Sequence, residues 1–170
     1  VWSGGFRSNT NQQDVITNNG TLGDGEFNAE SGADDDGMWG GAGNDGIRGA
    51  GGNDEIYGGD GSDNLIAGLG NDKVYGDAGR DIINGNDGDD LIVGGAGNDA
   101  MRGGAGADIF AYLDIGDAGL TQSTRDSVLD FEVGIDQFDL SAFALTYGAA
   151  STIAVAAGGG GSHAVRRSRL

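Results

Sequence analysis

Nine aspartates recur at an interval of nine residues: Asp36, Asp45, Asp54, Asp63, Asp72, Asp81, Asp90, Asp99 and Asp108. Carboxylates at a fixed period, with few bases to pair them, suit the binding of a hard cation through oxygen. The residues between them keep the same phase. From Ser31 to Ala111 the chain divides without a gap into SGADDDGMW, GGAGNDGIR, GAGGNDEIY, GGDGSDNLI, AGLGNDKVY, GDAGRDIIN, GNDGDDLIV, GGAGNDAMR and GGAGADIFA. The sixth place is Asp in every block. The eighth is always apolar: Met38, Ile47, Ile56, Leu65, Val74, Ile83, Ile92, Met101 and Phe110. The fourth is Gly except in the first block, where Asp34 replaces it.

These places define the elements that must hold the carboxylates. Gly at the first, second and fourth places permits positive φ and close backbone approach, so those places predict a tight turn. The last three places predict a very short strand with its eighth side chain pointing inward. Two blocks then complete one circuit of a flattened coil, and circuits stack at the parallel-strand spacing of roughly 4.8 Å. Aspartates eighteen apart therefore fall on one edge, Asp36, Asp54, Asp72, Asp90 and Asp108 on the first and Asp45, Asp63, Asp81 and Asp99 on the second. Bare carboxylates at that spacing repel, and a divalent ion between neighbouring turns removes the repulsion. Four gaps on one edge and three on the other predict about seven Ca²⁺ ions.

The composition agrees with this reading. The chain of 170 residues has 37 Gly, no Pro and no Cys, with 27 acidic against 9 basic residues and a net charge of −18. Glu occurs only at positions 26, 30, 55 and 132, so the acidic excess is nearly all Asp. Such a field attracts cations and disfavours nucleic acid and anionic lipid as partners. Seven Ca²⁺ would bring the formal charge to about −4. Without Cys there is no disulfide or thiolate metal site. No signal peptide is seen over 1–20, and no stretch has the length of a membrane span. Asp and Gly also make turns, but turn chemistry does not explain nine-for-nine phase locking. The Asp spacing and terminal Glu of EF-hand loops are missing.

The blocks resemble the repeats-in-toxin (RTX) hemolysin-type nonapeptide GGxGxDxUx. That resemblance implies an all-β fold, a right-handed parallel β-roll with a C-terminal β cap. It also implies a ligand scheme for each gap: the second and fourth carbonyls and the sixth Asp of one turn, with the first and third carbonyls and the sixth Asp of the turn eighteen residues on. On the first edge this assigns Gly32, Asp34, Gly49 and Gly51 to the gap between Asp36 and Asp54. Ala50, Gly52, Ala67 and Leu69 serve the next gap. Gly68, Gly70, Gly85 and Asp87 follow, then Asn86, Gly88, Gly103 and Ala105. On the second edge it assigns Gly41, Gly43, Gly58 and Asp60, then Gly59, Gly61, Gly76 and Ala78. The last gap there takes Asp77, Gly79, Gly94 and Ala96. The first gap is expected to depart from the rest because of Asp34. Asp117 and Asp126 are candidates for additional ligands beyond the repeats, although solvated turns are the default reading of both.

The flanks divide the rest of the chain. Residues 1–30 read as a degenerate cap or the end of a preceding domain, with an echo of the repeat at Leu22–Gly25 and Phe27 in the sixth place. Residues 112–147 form the expected cap: a strand over Asp126–Phe131, a turn at Gly134–Asp136 and a return through Gln137–Leu140. The run GGAGADIFAY followed by RDSVLDFEVGIDQFDLSAF resembles the segment after the repeats in serralysin-type secreted metalloproteases, and alginate epimerase modules carry a related segment. The Gly/Ala-rich tail, residues 148–170, is expected to lack structure.

Catalysis is not expected within this chain. His163 is the single histidine, so an HExxH zinc site cannot form here. The expected role is a calcium-binding module of a secreted, extracellular bacterial protein. It would fold on Ca²⁺ after type I secretion and stabilise a parent enzyme N-terminal to it, a serralysin-like metalloprotease in the favoured case. The alternative is an adhesion or polysaccharide-binding module of the alginate-epimerase type. Its motive is the outward row Trp39, Tyr57, Tyr75, which could form a sugar platform but fits cross-strand packing better.

Overall fold

The computed structural model describes residues 6–7, 15–17, 28–114, 116–117, 125–142, 154–157 and 161–164. The strands up to the end of the repeats are β1 (Phe6–Arg7), β2 (Val15–Thr17), β3 (Asn28–Glu30), β4 (Gly37–Ala42), β5 (Gly46–Gly51), β6 (Glu55–Gly61), β7 (Asn64–Leu69), β8 (Lys73–Gly79), β9 (Ile82–Asp87), β10 (Leu91–Val93), β11 (Ala96–Gly97), β12 (Ala100–Ala105) and β13 (Ile109–Ala111). After them come β14 (Ser127–Val128), β15 (Gln137–Asp139), β16 (Ala154–Ala157) and β17 (Gly161–Ala164).

Successive strands alternate between two parallel sheets. One has the order β1-β3-β5-β7-β9-β12-β14, and the other β15-β13-β10-β8-β6-β4-β2 with β11 also on β8. The register follows the predicted eighteen-residue step, with Ile47 opposite Leu65 and Ile56 opposite Val74. The fold is therefore a parallel β-solenoid of the β-roll kind. All nine eighth-place side chains point between the sheets and are at most 2% exposed, so this one place builds the core.

Most strands are longer than three residues. β4, β5, β7, β9 and β12 each run six, from the seventh place of one block to the third of the next. The ladder thus passes through the paired glycines. The glycines also divide their work differently from the expectation. Positive φ falls on the second place, as at Gly59, and on the fourth, as at Gly79. Ala50, Asp77 and Asn86 accept a left-handed backbone at the second place.

The flanks extend the roll. β2 pairs with β4 and β3 with β5, both in parallel, so residues before the repeats add rungs at that end. The Leu22–Gly25 echo lies outside the described residues. At the other end β14 covers β12 and β15 covers β13. Phe110 ends the core there. Its ring lies 6.0 Å from that of Phe131 and 5.9 Å from that of Phe138, and the latter two stack at 4.5 Å. Phe110→Ala is expected to cost about 3–5 kcal/mol, read from denaturant unfolding at saturating calcium. In the tail, β16 and β17 pair as an antiparallel hairpin where no structure was expected. The rest of the tail lies outside the described residues. Among the described residues no helix is long and apolar enough to cross a membrane.

Candidate metal sites along the two edges

The sixth-place aspartates are buried at the turns, each at most 3% exposed. Polar groups that deep need partners. Seven of the nine carboxylates receive a hydrogen bond from the turn before them. On the first edge the Asp36 N–H donates to Asp54 Oδ1 at 2.8 Å, Asp54 to Asp72 at 2.7 Å, Asp72 to Asp90 at 2.9 Å and Asp90 to Asp108 at 3.0 Å. On the second edge Asp45 donates to Asp63 at 2.7 Å, Asp63 to Asp81 at 2.8 Å and Asp81 to Asp99 at 2.9 Å.

The second oxygen is left over. Oδ2 of Asp54, Asp63, Asp72, Asp81, Asp90, Asp99 and Asp108 is buried and has no hydrogen-bond partner. Burial pushes the Asp54, Asp81 and Asp90 carboxyls from 3.8 up to about 7, and those of Asp63 and Asp72 up to about 6. It raises Asp99 and Asp108 as well. The backbone N–H bonds oppose the shift without cancelling it. Buried negative charge of this kind calls for a positive partner.

What surrounds these oxygens is more oxygen. A Cβ on Gly49 would lie 2.2 Å from Asp54 Oδ2 and 2.6 Å from the carbonyl O of Ala67. One on Gly58 would lie 2.4 Å from Asp63 Oδ2 and 2.8 Å from Gly76 O, and one on Gly85 would meet Asp90 Oδ2 at 2.1 Å and Gly103 O at 2.6 Å. The first-place glycine therefore leaves room where the carboxylate of one turn meets the first carbonyl of the turn eighteen residues on. Space, not φ, is its reason. Ala67 is the exception within the run, and its methyl is fully buried. Among the described residues no three acidic, His or Cys side chains converge on one point, so the gaps rely on carbonyls for the rest of their oxygens. That donor set suits calcium: a hard ion that accepts six to eight oxygens in loose geometry.

The first gap is built differently. Ser31 stands in the glycine place, and its hydroxyl donates at 2.5 Å to Gly49 O, the carbonyl that the family scheme assigns to the metal. The Gly32 N–H lies 3.3 Å from Asp36 Oδ2. Asp34 Oδ2 is buried without a partner, which makes this gap richer in carboxylate.

Beyond the repeats the period misleads. Asp117 lies eighteen residues after Asp99, but its Oδ2 accepts the N–H groups of Leu113 and Asp114 in a local turn. The rung after Asp99 is instead Asp126, whose Oδ1 accepts the Asp99 N–H at 3.0 Å. Asp126 thus leaves the solvated turn that is its default reading and joins the ladder. On the other edge Asp136, absent from the expected ligands, takes the Asp108 N–H at 3.2 Å.

A second ladder was also missed. At the fifth place the bonds run the opposite way: Asn53 N–H donates to Asp35 Oδ1 at 2.6 Å, Asn71 to Asn53 at 2.8 Å, Asp89 to Asn71 at 2.9 Å and Ala107 to Asp89 at 2.8 Å. The signal was present as Asn in the fifth place of four blocks, Asn44, Asn53, Asn71 and Asn98.

The outward aromatics form a face-to-face stack. Trp39 and Tyr57 have ring centroids 5.6 Å apart and Tyr57 and Tyr75 4.7 Å, both pairs inclined by 7°. The Tyr57 hydroxyl donates to Glu55 at 2.8 Å, which pushes its pKa up to about 12. The rings turn most of their faces to each other, as cross-strand packing requires.

Fold and edges together define a calcium-binding β-solenoid. Residues 39–74 and 75–110 each match the family model for the RTX calcium-binding nonapeptide repeat (4 copies), so residues 39–110 are an RTX repeat module, and RTX repeats bind Ca²⁺. Modules of this kind are structural rather than catalytic and occur in secreted proteins. No curated protein matches the chain.

Proposed function

We propose that this chain is the calcium-triggered folding module of a secreted protein. The observation that carries the reading is the row of buried, unpartnered Oδ2 atoms, of which those of Asp54, Asp63, Asp81 and Asp90 share the space beside a first-place glycine with a carbonyl oxygen of the next turn. At cytosolic calcium the carboxylates repel and the chain stays extended, a form suited to export. At the calcium level outside the cell, cations enter the gaps and the roll closes, since extracellular modules bind at roughly 10⁻⁴–10⁻³ M. The six gaps from Asp45–Asp63 to Asp90–Asp108 are the regular sites. The Asp36–Asp54 gap is a seventh of altered affinity.

The same reading makes the module a stabiliser for a parent domain. The cap sequence RDSVLDFEVGIDQFDLSAF supports a serralysin-like metalloprotease as that parent, with type I secretion as the route. Equilibrium dialysis against roughly 5 mM CaCl₂, about fivefold above the top of that range, should retain six to seven calcium ions in the repeats. Magnesium at the same concentration should retain none or one. A chain that holds fewer than three calcium ions would exclude this function.

A further inference from the structure

The first gap of the first edge is already closed by donors of the protein itself. Among the nine first places seven are Gly and one is Ala67, so Ser31 alone carries a polar side chain there. β3 pairs with β5, with Glu30 opposite Arg48, and the next step of that register sets Ser31 beside Gly49. The Ser31 N–H donates to Arg48 O at 3.0 Å, and the residue is 5% exposed. Held in this way, its hydroxyl donates to Gly49 O at 2.5 Å. The corresponding carbonyls of later gaps, Ala67 O, Gly76 O and Gly103 O, lie instead beside Gly49, Gly58 and Gly85, which have no side chain to donate.

The carboxylate differs as well. Asp36 Oδ2 has the Gly32 N–H 3.3 Å away, whereas Oδ2 of each sixth-place Asp from Asp54 to Asp108 is buried with no hydrogen-bond partner. An ion between two turns answers both kinds of oxygen, the carboxylate of one turn and the first carbonyl of the next. In the first gap an N–H and an O–H group answer them. Calcium entering there has to break the Ser31–Gly49 bond and displace a buried side chain. In the later gaps no first-place side chain can donate against it. Asp34 does not offset this. Its Oδ2 is buried without a partner, but among the described residues no three acidic, His or Cys side chains converge on one point, so it builds no common shell with Asp36 and Asp54.

We propose that the Ser31 hydroxyl takes the place of the ion in the first gap, so the turn at the start of the repeats closes without metal while the later gaps require calcium. The inference rests on the calcium reading of the repeats. It gives the altered affinity of the Asp36–Asp54 gap a cause and a direction: Ser31 lowers it.

The test is an anomalous difference map from crystals of the full chain grown with calcium. The expected result is peaks in the gaps from Asp45–Asp63 onward and none between Asp36 and Asp54, with that peak appearing in Ser31→Gly. A peak between Asp36 and Asp54 in the wild type, or none there in Ser31→Gly, overturns this proposal alone. A map without peaks in any gap overturns the calcium reading itself. Atomic emission on the dialysed proteins gives a second measure. Ser31→Gly should hold one calcium more than the wild type, and an unchanged count sinks the proposal. Ser31→Ala keeps the Cβ and loses only the hydroxyl, so it should gain the same ion. A gain in Ser31→Gly alone would make bulk the cause and overturn the role of the hydroxyl.

Discussion

Chelating calcium from the folded chain is expected to convert it to a coil in one cooperative step. Seven sixth-place carboxylates, Asp54 to Asp108, each keep a buried oxygen without a donor, and no Cys is present to staple the turns. An uncompensated buried carboxylate costs several kcal/mol, while a whole domain is stable by only about 5–15 kcal/mol. A few vacated gaps are therefore enough to cancel the net stability. The loss cannot stay local, because each turn of a solenoid finds its partners only in its neighbours. Far-UV circular dichroism should show the sheet signal vanish on adding EGTA and return with excess calcium. Magnesium should not restore it, since that ion demands tight octahedral geometry and gives up its waters reluctantly. Retention of the sheet in chelator would refute metal-coupled folding.

Gly79→Ala is expected to keep the chain unfolded at calcium concentrations that fold the wild type. Gly79 has φ +145°, and a Cβ there would lie 1.4 Å from the carbonyl O of Gly61. The obstacle is backbone, so no side-chain rotation relieves it. β6 and β8 would have to part at the centre of the solenoid, which breaks the strand ladder and the calcium gap between Asp63 and Asp81 together. The second place offers the control. Asn86 already sits at φ 80°, so Asn86→Gly changes little in the folded backbone. Its cost should be about 1 kcal/mol or less, from the freer unfolded chain. The calcium midpoint followed by circular dichroism should rise at least about tenfold for Gly79→Ala and less than about threefold for Asn86→Gly. A Gly79→Ala chain that folds at the wild-type midpoint would show that the rungs have more slack than these contacts allow.

Much of this architecture was legible because one period carries two messages. The eighth place names the core from Met38 to Phe110, and the sixth names the ladder from Asp36 to Asp108. The cap was less legible for a physical reason. Its two rungs arrive after 27 and 28 residues, and their register is set by apolar contacts. Val128 is buried in the core, and Phe138 packs against Phe110. Counting in eighteens therefore selects Asp117, whose carboxylate serves its own turn. Of the two reasons expected for a first-place glycine, close approach holds and positive φ does not: an aspartate oxygen or a neighbouring carbonyl fills the space beside it. The fifth-place ladder escaped notice because Asn looked like one more turn former, and its value appears only when the next circuit lies above it.

The alternation of blocks between two sheets limits how such a chain can change length. One added nonapeptide would shift every later residue to the opposite sheet. Trp39, Tyr57 and Tyr75 share one side only because eighteen residues separate each from the next. An odd insertion among them would send part of that column to the far side. Between the column and the cap, it would rotate β14 and β15 by half a circuit relative to everything before them. Gene duplications that lengthen this module without disturbing its surfaces must therefore come in pairs of repeats, so its natural unit of inheritance is the eighteen-residue circuit.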